Sequence, residues 1–304
     1  MRLFVTGASG FIGTAVTAEL IGAGHQVVGL ARSDAAAAAL ADAGAAPRRG
    51  SLDDLDGLRE AAGTSDGVIH LAFKHDAMRS GDFPGAITAD LRAIHAIGDA
   101  LVGSGKPLVA ASATLLLALA GLARVGTEAD ALAHGPRVDA ENTVIALAER
   151  GVRSSIVRLP PTVHSARERH GFTATLIAIA REKGAAGYVG DGSNRWPAVH
   201  ALDAARLFRR ALEAAPAGSR LHAVADEGVP FRRIAETIGR HLNLPTASIP
   251  LGEADAQFGF LGPFVPLDNP VSSARTRDLL GWAPTHPGLI DDLDQGHYFG
   301  TPAT

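Results

Sequence analysis

The sequence predicts an α/β fold built on a doubly wound parallel sheet, and three observations carry that prediction. Short apolar runs alternate with helical stretches through the first half of the chain, and a glycine-spaced turn follows the first run at once. Beyond about Pro161 the alternation breaks into segments rich in Gly and Pro, around 184–192 and 261–270. Alternation of this kind implies right-handed crossovers between parallel strands.

Taken in order, strands are predicted over residues 3–5, 26–30, 67–71, 108–111 and 154–158, each a short apolar run. Helices fall between them, over 11–23, 34–43, 84–103 and 137–150, with a shorter one over 54–62. The alanine run 35–39 is a helix former and not a disordered tract. In the second half helices are expected over 172–183, 201–215 and 231–242, with a strand over 220–224. The segment 107–123 is almost wholly apolar, but it is shorter than the roughly 20 residues a span requires and contains Ser112 and Thr114, so it reads as a buried strand and loop.

Composition narrows the function classes. With 304 residues, 46% hydrophobic and 20% charged, the chain has ample material for a buried core. The formal charge of -4 gives no basic field for nucleic acid, so a small-molecule partner is expected, with neither nucleic acid nor membrane. Absence of cysteine excludes disulfides, thiolate metal sites and thiol nucleophiles. The N-terminus runs directly into Leu3-Phe4-Val5 without a secretory leader, and the expected location is cytoplasmic. Twelve histidines show no HxxxH or HExxH spacing on a predicted helix, so no metal site is expected. No GxSxG elbow makes Ser112 a hydrolase nucleophile.

The turn Thr6-Gly7-Ala8-Ser9-Gly10-Phe11-Ile12-Gly13 follows a predicted strand and opens a predicted helix, the context in which a glycine fingerprint binds a dinucleotide. Gly7 allows the tight turn, Gly10 lets backbone approach a pyrophosphate, and Gly13 lets helix pack closely on strand. Amides at the helix start then face the phosphates. The ribose of the adenosine half is read about 20 residues on, at the end of the next strand. Ala31, Arg32 and Ser33 stand there with no carboxylate for the two ribose hydroxyls, while Arg32 can meet a 2′-phosphate. NADP(H) is therefore expected over NAD(H). Asp53 is placed to contact the adenine amine, or is simply part of an acidic surface loop.

With TGASGFIG, the chain resembles the extended, and in detail an atypical, branch of the short-chain dehydrogenase/reductases, related to NAD-dependent epimerases and dehydratases. The resemblance also rests on His70-Leu71-Ala72, on the run from Val109 to Thr114, on Arg158-Leu159-Pro160-Pro161, on Gly190-Asp191-Gly192 with Arg195, on the run from Val199 to Asp203, and on Leu280-Gly281-Trp282-Ala283-Pro284. It implies a Rossmann-type sheet over 1–165, with segments near 195–225 returning to it, and a smaller C-terminal α/β region over 166–304 that binds substrate. It further implies cofactor contacts from Leu71, Ala72, Phe73 and Pro160. Helices 84–103 and 137–150 correspond to those through which family members pair, so a homodimer is expected.

The family uses a Ser/Thr, a Tyr and a Lys. Thr114 matches the first, but YxxxK is missing: Arg137 takes the Tyr place and Glu141 the Lys place. Arginine stays protonated, so Arg137 can steady a developing oxyanion but donates a proton poorly. The same two residues also read as an i,i+4 pair on a solvated face, worth about 0.3–0.5 kcal/mol. If a proton is delivered, histidine is the natural donor. His75 follows the fourth strand, His164 the sixth, and His134 precedes Pro136-Arg137. Each also reads as a loop histidine without a role. Lys74 is placed either to bind an anionic substrate or to lie in solvent, and His70 to pack near the cofactor. Trp196, Phe258, Phe260, Phe264 and Trp282 read as core packing before they read as a pocket. The leading function is an NADPH-dependent reductase acting on a small C=O, activated C=C or C=N substrate. A catalytically silent NADP(H)-sensing protein and an epimerase or dehydratase are the alternatives.

Overall fold

Seven parallel strands form the main sheet in the computed structural model, which describes residues 1–300. Along the chain the strands are β1 (Arg2–Thr6), β2 (Gln26–Ala31), β3 (Ala46–Arg49), β4 (Gly67–His70), β5 (Pro107–Ala113), β6 (Arg153–Leu159), β7 (Thr162–His164), β8 (Ala186–Val189), β9 (Arg195–His200), β10 (Ser219–His222), β11 (Asp226–Pro230) and β12 (Thr246–Ile249). The main sheet runs β10-β6-β5-β4-β1-β2-β3, so the strand order reverses between β1 and β4. Such a reversal opens a crevice beyond the carboxyl ends of the strands. A second sheet, β11-β9-β7, and the pair β12-β8 lie outside it.

The helices that position the site are α1 (Phe11–Gly22), α2 (Asp34–Asp42), α3 (Leu55–Gly63), α4 (His75–Arg79), α5 (Phe83–Leu101), α6 (Leu115–Leu119), α7 (Val138–Ala146), α8 (Phe172–Lys183), α9 (Ala201–Ala214) and α10 (Phe231–Leu242). Successive strand residues point to opposite faces of a sheet. Accordingly Leu3 and Val5 of β1 pack with Val16 and Leu20 of α1 and with Leu207 and Phe208 of α9. Phe4 packs on the other side with Leu58 of α3, Ile97 of α5 and Val144 of α7. A third core joins Leu176 of α8, Trp196 and Ile234 of α10.

Several elements depart from the sequence reading. The helix expected over 137–150 is α7 followed by a 3-10 turn, Leu147–Arg150, which Gly151 ends in the left-handed region. The apolar segment after β5 forms the short helix α6 where a loop was expected. The edge strand β3 was not foreseen, since its sequence, Ala-Pro-Arg-Arg, is largely exposed and carries no apolar run. After the excursion through β7, β8 and β9 the chain returns: α9 covers the α1 face and β10 pairs in parallel with β6. Trp196, Phe258 and Trp282 are fully buried core, while Phe264 stacks on Phe172 and Phe260 is half exposed.

Candidate active site

The turn after β1 is shaped by contacts that only glycine tolerates. Gly7 has φ +69°, and a Cβ there would lie 2.8 Å from the Ala72 amide nitrogen. A Cβ on Gly13 would lie 1.9 Å from the Gly7 carbonyl oxygen, so α1 seats against the turn only without one. Gly10 caps α1 without any side-chain hydrogen bond. Ser9 and Gly10 are exposed, and Phe11 and Ile12 are half-buried. The first-turn amides of α1 are thereby left to an anion, and the residues present fit a dinucleotide pyrophosphate.

The adjoining wall of the crevice is braced from beneath. Thr6 Oγ1 accepts hydrogen bonds from the Leu71 and Ala72 amides, both at 3.2 Å, and lies 2.8 Å from His70 Nδ1. With its lone pairs occupied, the hydroxyl donates to Nδ1, which puts the imidazole proton on Nε2, where it donates to buried Asp90 at 3.0 Å. Through Thr6, His70 thereby braces Leu71-Ala72-Phe73 beside the glycine turn.

At the adenosine end, Ala31 of β2 is in register with Arg49 of β3, which places Arg32 beside Arg49 and Gly50. Arg32 is exposed, with Nη2 3.5 Å from Asp76 Oδ2, and Arg49 pairs with Asp34 at 2.6 Å. Ser33 caps α2, its Oγ accepting from the Ala36 amide. Asp53 and Lys74, assigned separate roles from sequence, pair with each other. Lys74 Nζ donates to both Asp53 carboxylate oxygens, at 2.8 and 2.7 Å.

Beyond β5 and β6 lies a buried ionic cluster centred on Glu141. Glu141 is almost fully buried and does not pair with Arg137. It accepts from Ser112 Oγ (2.8 Å), Arg158 Nε (3.0 Å), Arg158 Nη2 (2.5 Å) and Arg220 Nε (2.8 Å). Burial pushes its carboxyl up, but the bonds and charge of Arg158, with Ser112 and Arg220, outweigh burial and hold it below the usual carboxylate range. The solvated-face reading of Glu141 is thus corrected. Val138 and Val144, three residues to either side of it, share its buried face, and that spacing was the signal in the sequence. The hydroxyl on this face is Ser112, not Thr114. Thr114 is fully buried, and its Oγ1 accepts from Asn269 Nδ2 at 3.2 Å.

Arg137 precedes α7 with φ +65°, a left-handed conformation unusual for a non-glycine residue. Its guanidinium carbon stands 4.3 Å from the centroid of the Phe73 ring, and its buried Nε has no hydrogen-bond partner among the described residues. Desolvation lowers its pKa, countered by the charges of Asp90 and Glu141. His75 is exposed beside Phe73, their rings 5.3 Å apart, and His134 is exposed. His164, expected at the crevice edge, is instead fully buried on β7. Its Nδ1 lies 2.9 Å from Asp292 Oδ2, and its ring meets His200 edge-on. Pro160 is buried at the end of β6, and Leu71, Ala72 and Phe73 are half-buried. Among the described residues no group of three or more His, Asp or Glu is arranged to hold a metal ion, and no helix is long and apolar enough to cross a membrane.

Comparison with known proteins agrees with this fold. The family model described as NAD dependent epimerase/dehydratase family matches residues 3–115, the stretch from β1 through β5. The chain is 48% identical over 301 residues to uncharacterized protein C2A9.02 of Schizosaccharomyces pombe, covering 98% of this chain and 100% of that one. It is 45% identical to uncharacterized protein YLL056C of Saccharomyces cerevisiae, covering 96% of this chain and 98% of the relative. Among solved structures it resembles the dTDP-glucose 4,6-dehydratase DesIV of Streptomyces venezuelae, crystallised with NAD and TYD, with a TM-score of 0.76 and 19% identity over 98% and 96% of the two chains. At that identity the likeness concerns the fold. Glycine turn, strand order and sequence relatives together show that this chain belongs to the NAD-dependent epimerase/dehydratase family, in a form that carries Arg137 and Glu141 where the resemblance calls for Tyr and Lys.

Proposed function

We propose that the chain is an NADPH-dependent oxidoreductase that reduces a small substrate with a C=O, activated C=C or C=N group. The observation that carries this reading is Arg137, a permanent cation set against Phe73 in the place of the proton-donating Tyr. When bound, the dinucleotide supplies hydride. The start of α1 holds its pyrophosphate, and Arg32, with Arg49 alongside, meets the 2′-phosphate. Arg137 steadies the negative charge that builds on the acceptor, and it keeps its own protons while doing so. Loss of YxxxK is tolerated best by acceptors whose reduced form is a stabilised anion. The proton that completes the reduction enters from the exposed rim where His75 stands.

Support for NADP(H) comes from Arg32 and from the lack of a carboxylate at the end of β2. NADPH is expected to raise the melting temperature of the purified protein more than NADH at equal concentration, and Arg32→Ala to abolish the difference. Greater stabilisation by NADH would overturn the cofactor assignment. Loss of reduced-nicotinamide absorbance is then followed over panels of aldehydes, ketones, enones and imines. Tight nucleotide binding with no turnover across them favours a nucleotide-sensing protein instead. Retained NAD with no net oxidation of NADPH, together with interconversion of a sugar nucleotide, favours the epimerase or dehydratase alternative.

A further inference from the structure

We infer that Arg137 is the receptor for a carboxylate, and that the substrate is a small organic monoacid docked on it beside the reacting carbon. The inference rests on the nucleotide-dependent site proposed above and names the class of molecule that site takes.

Four features of the residue point the same way. First, among the described residues no carboxylate forms an ion pair with it: Glu141 is bonded to Arg158, Arg220 and Ser112, and Asp90 lies against His70. Second, its Nε is buried without a hydrogen-bond partner among the described residues, a costly arrangement for a cationic donor unless a ligand supplies the acceptor. Third, the Phe73 ring covers one face of the guanidinium. A stacked guanidinium keeps its in-plane N–H groups available, and that planar fork matches the two oxygens of a carboxylate. Fourth, the backbone at Arg137 holds a left-handed conformation, strain that tends to persist where a side chain must be aimed.

The neighbouring charges select the ligand's valence. One cation stands near Asp90 and Glu141, both of which act on it electrostatically. Both carboxylates repel a bound anion, so a monoanion is disfavoured less than a dianionic phosphate. Lys74 offers no second cation, because Asp53 engages it through both oxygens.

The test is calorimetric titration of the NADPH-loaded protein with acetate, oxamate and benzoate, each against its neutral amide. At least one acid is expected to bind at least about tenfold more tightly than its amide. Arg137→Gln should weaken that acid by a similar factor and leave the amide unchanged, and Arg137→Lys, which keeps charge but not the fork, should fall between them. Guanidinium ion added to Arg137→Gly should restore part of the affinity. Stabilisation by NADPH should persist in all three variants, since none touches the pyrophosphate turn, and this doubles as the check on folding. If Arg137→Gln does not fold, the comparison of Arg137→Lys with the parent decides. The inference is overturned if acid and amide bind alike, if the acid binds the variants as tightly as the parent, if none of the acids binds, or if inorganic phosphate binds Arg137 better than every acid. Failure of the parent to bind NADPH would sink the proposed function itself, and that result is read separately.

Discussion

Glu141 is the acceptor of four hydrogen bonds from three side chains, three of the bonds fully buried and the fourth donated by half-buried Arg220. Removing one partner of a buried ion cluster leaves the others uncompensated, which costs about 3–5 kcal/mol. Glu141→Gln is therefore expected to lower unfolding free energy by about that amount in urea titration, and a change below about 1 kcal/mol would show the cluster to be dispensable. Glu141→Lys should be worse still, because it sets a third cation against Arg158 and Arg220. For that reason the double change Arg137→Tyr with Glu141→Lys will not recreate the family's usual proton-transfer pair. At this scale the sequence was only partly readable. Arg137 and Glu141 stood out as substitutions within a motif, but the partners of Glu141 lie on β5, β6 and β10 and that of Arg137 is Phe73 beyond β4, and spacing along one helix carries no information about segments folded beneath it. Arg158, set between Val157 and Leu159, stood in a motif without its burial being seen.

Helix starts carry the chemistry of this fold, and two of them give opposite tests. In α1 the approach of Gly13 to the Gly7 carbonyl forbids a side chain, so Gly13→Ala must push the helix off the strand. The expected result is loss of thermal stabilisation by NADPH, together with destabilisation of about 1–3 kcal/mol from overpacking. In α9 the cap is His200, whose Nδ1 accepts from the Leu202 amide and so must be unprotonated. Burial, then the neighbouring His164, hold the His200 pKa down to about 4, against 6.5 in the unfolded chain. The unfolded state thus binds the extra proton between these values. Stability from this residue is full above pH 6.5 and is lost as pH falls from 6.5 toward 4. His200→Asn keeps a capping acceptor without the titration, so melting temperature measured across that window should fall less steeply in the variant. Elements with continuous apolar runs, such as β1 and β4, were legible because both faces of a central parallel strand are covered. The edge strand β3 was hidden by its charges. α6 was hidden because an unbroken apolar stretch has no period to distinguish strand from helix.

For the molecule as a whole, a cut near residue 165 does not divide two independent folding units. Residues 1–165 contain six strands of the main sheet, but the cover over the Leu3 and Val5 face includes Ala204, Leu207, Phe208 and Leu212 of α9, and the outer partner of β6 is β10. A fragment of residues 1–165 is accordingly expected to expose that face, to bind a hydrophobic dye and to show no cooperative thermal transition. A sharp transition in calorimetry would contradict this. The sequence pointed to a chain that leaves and returns near 195–225, although alternation alone did not reveal that β9 joins β7 and β11 while only α9 and β10 rejoin the larger sheet.

That late return also sets an order of events during synthesis. When Leu159 leaves the ribosome, β6 still has a bare edge, and it keeps one until His222 follows some 60 residues later. At roughly 5–20 residues per second this leaves one strand edge unpaired in the cell for on the order of 3–12 s, long enough for pairing with another nascent chain. The strand that completes the main sheet is thus also the one that ends the protein's period of greatest exposure to aggregation and chaperone capture.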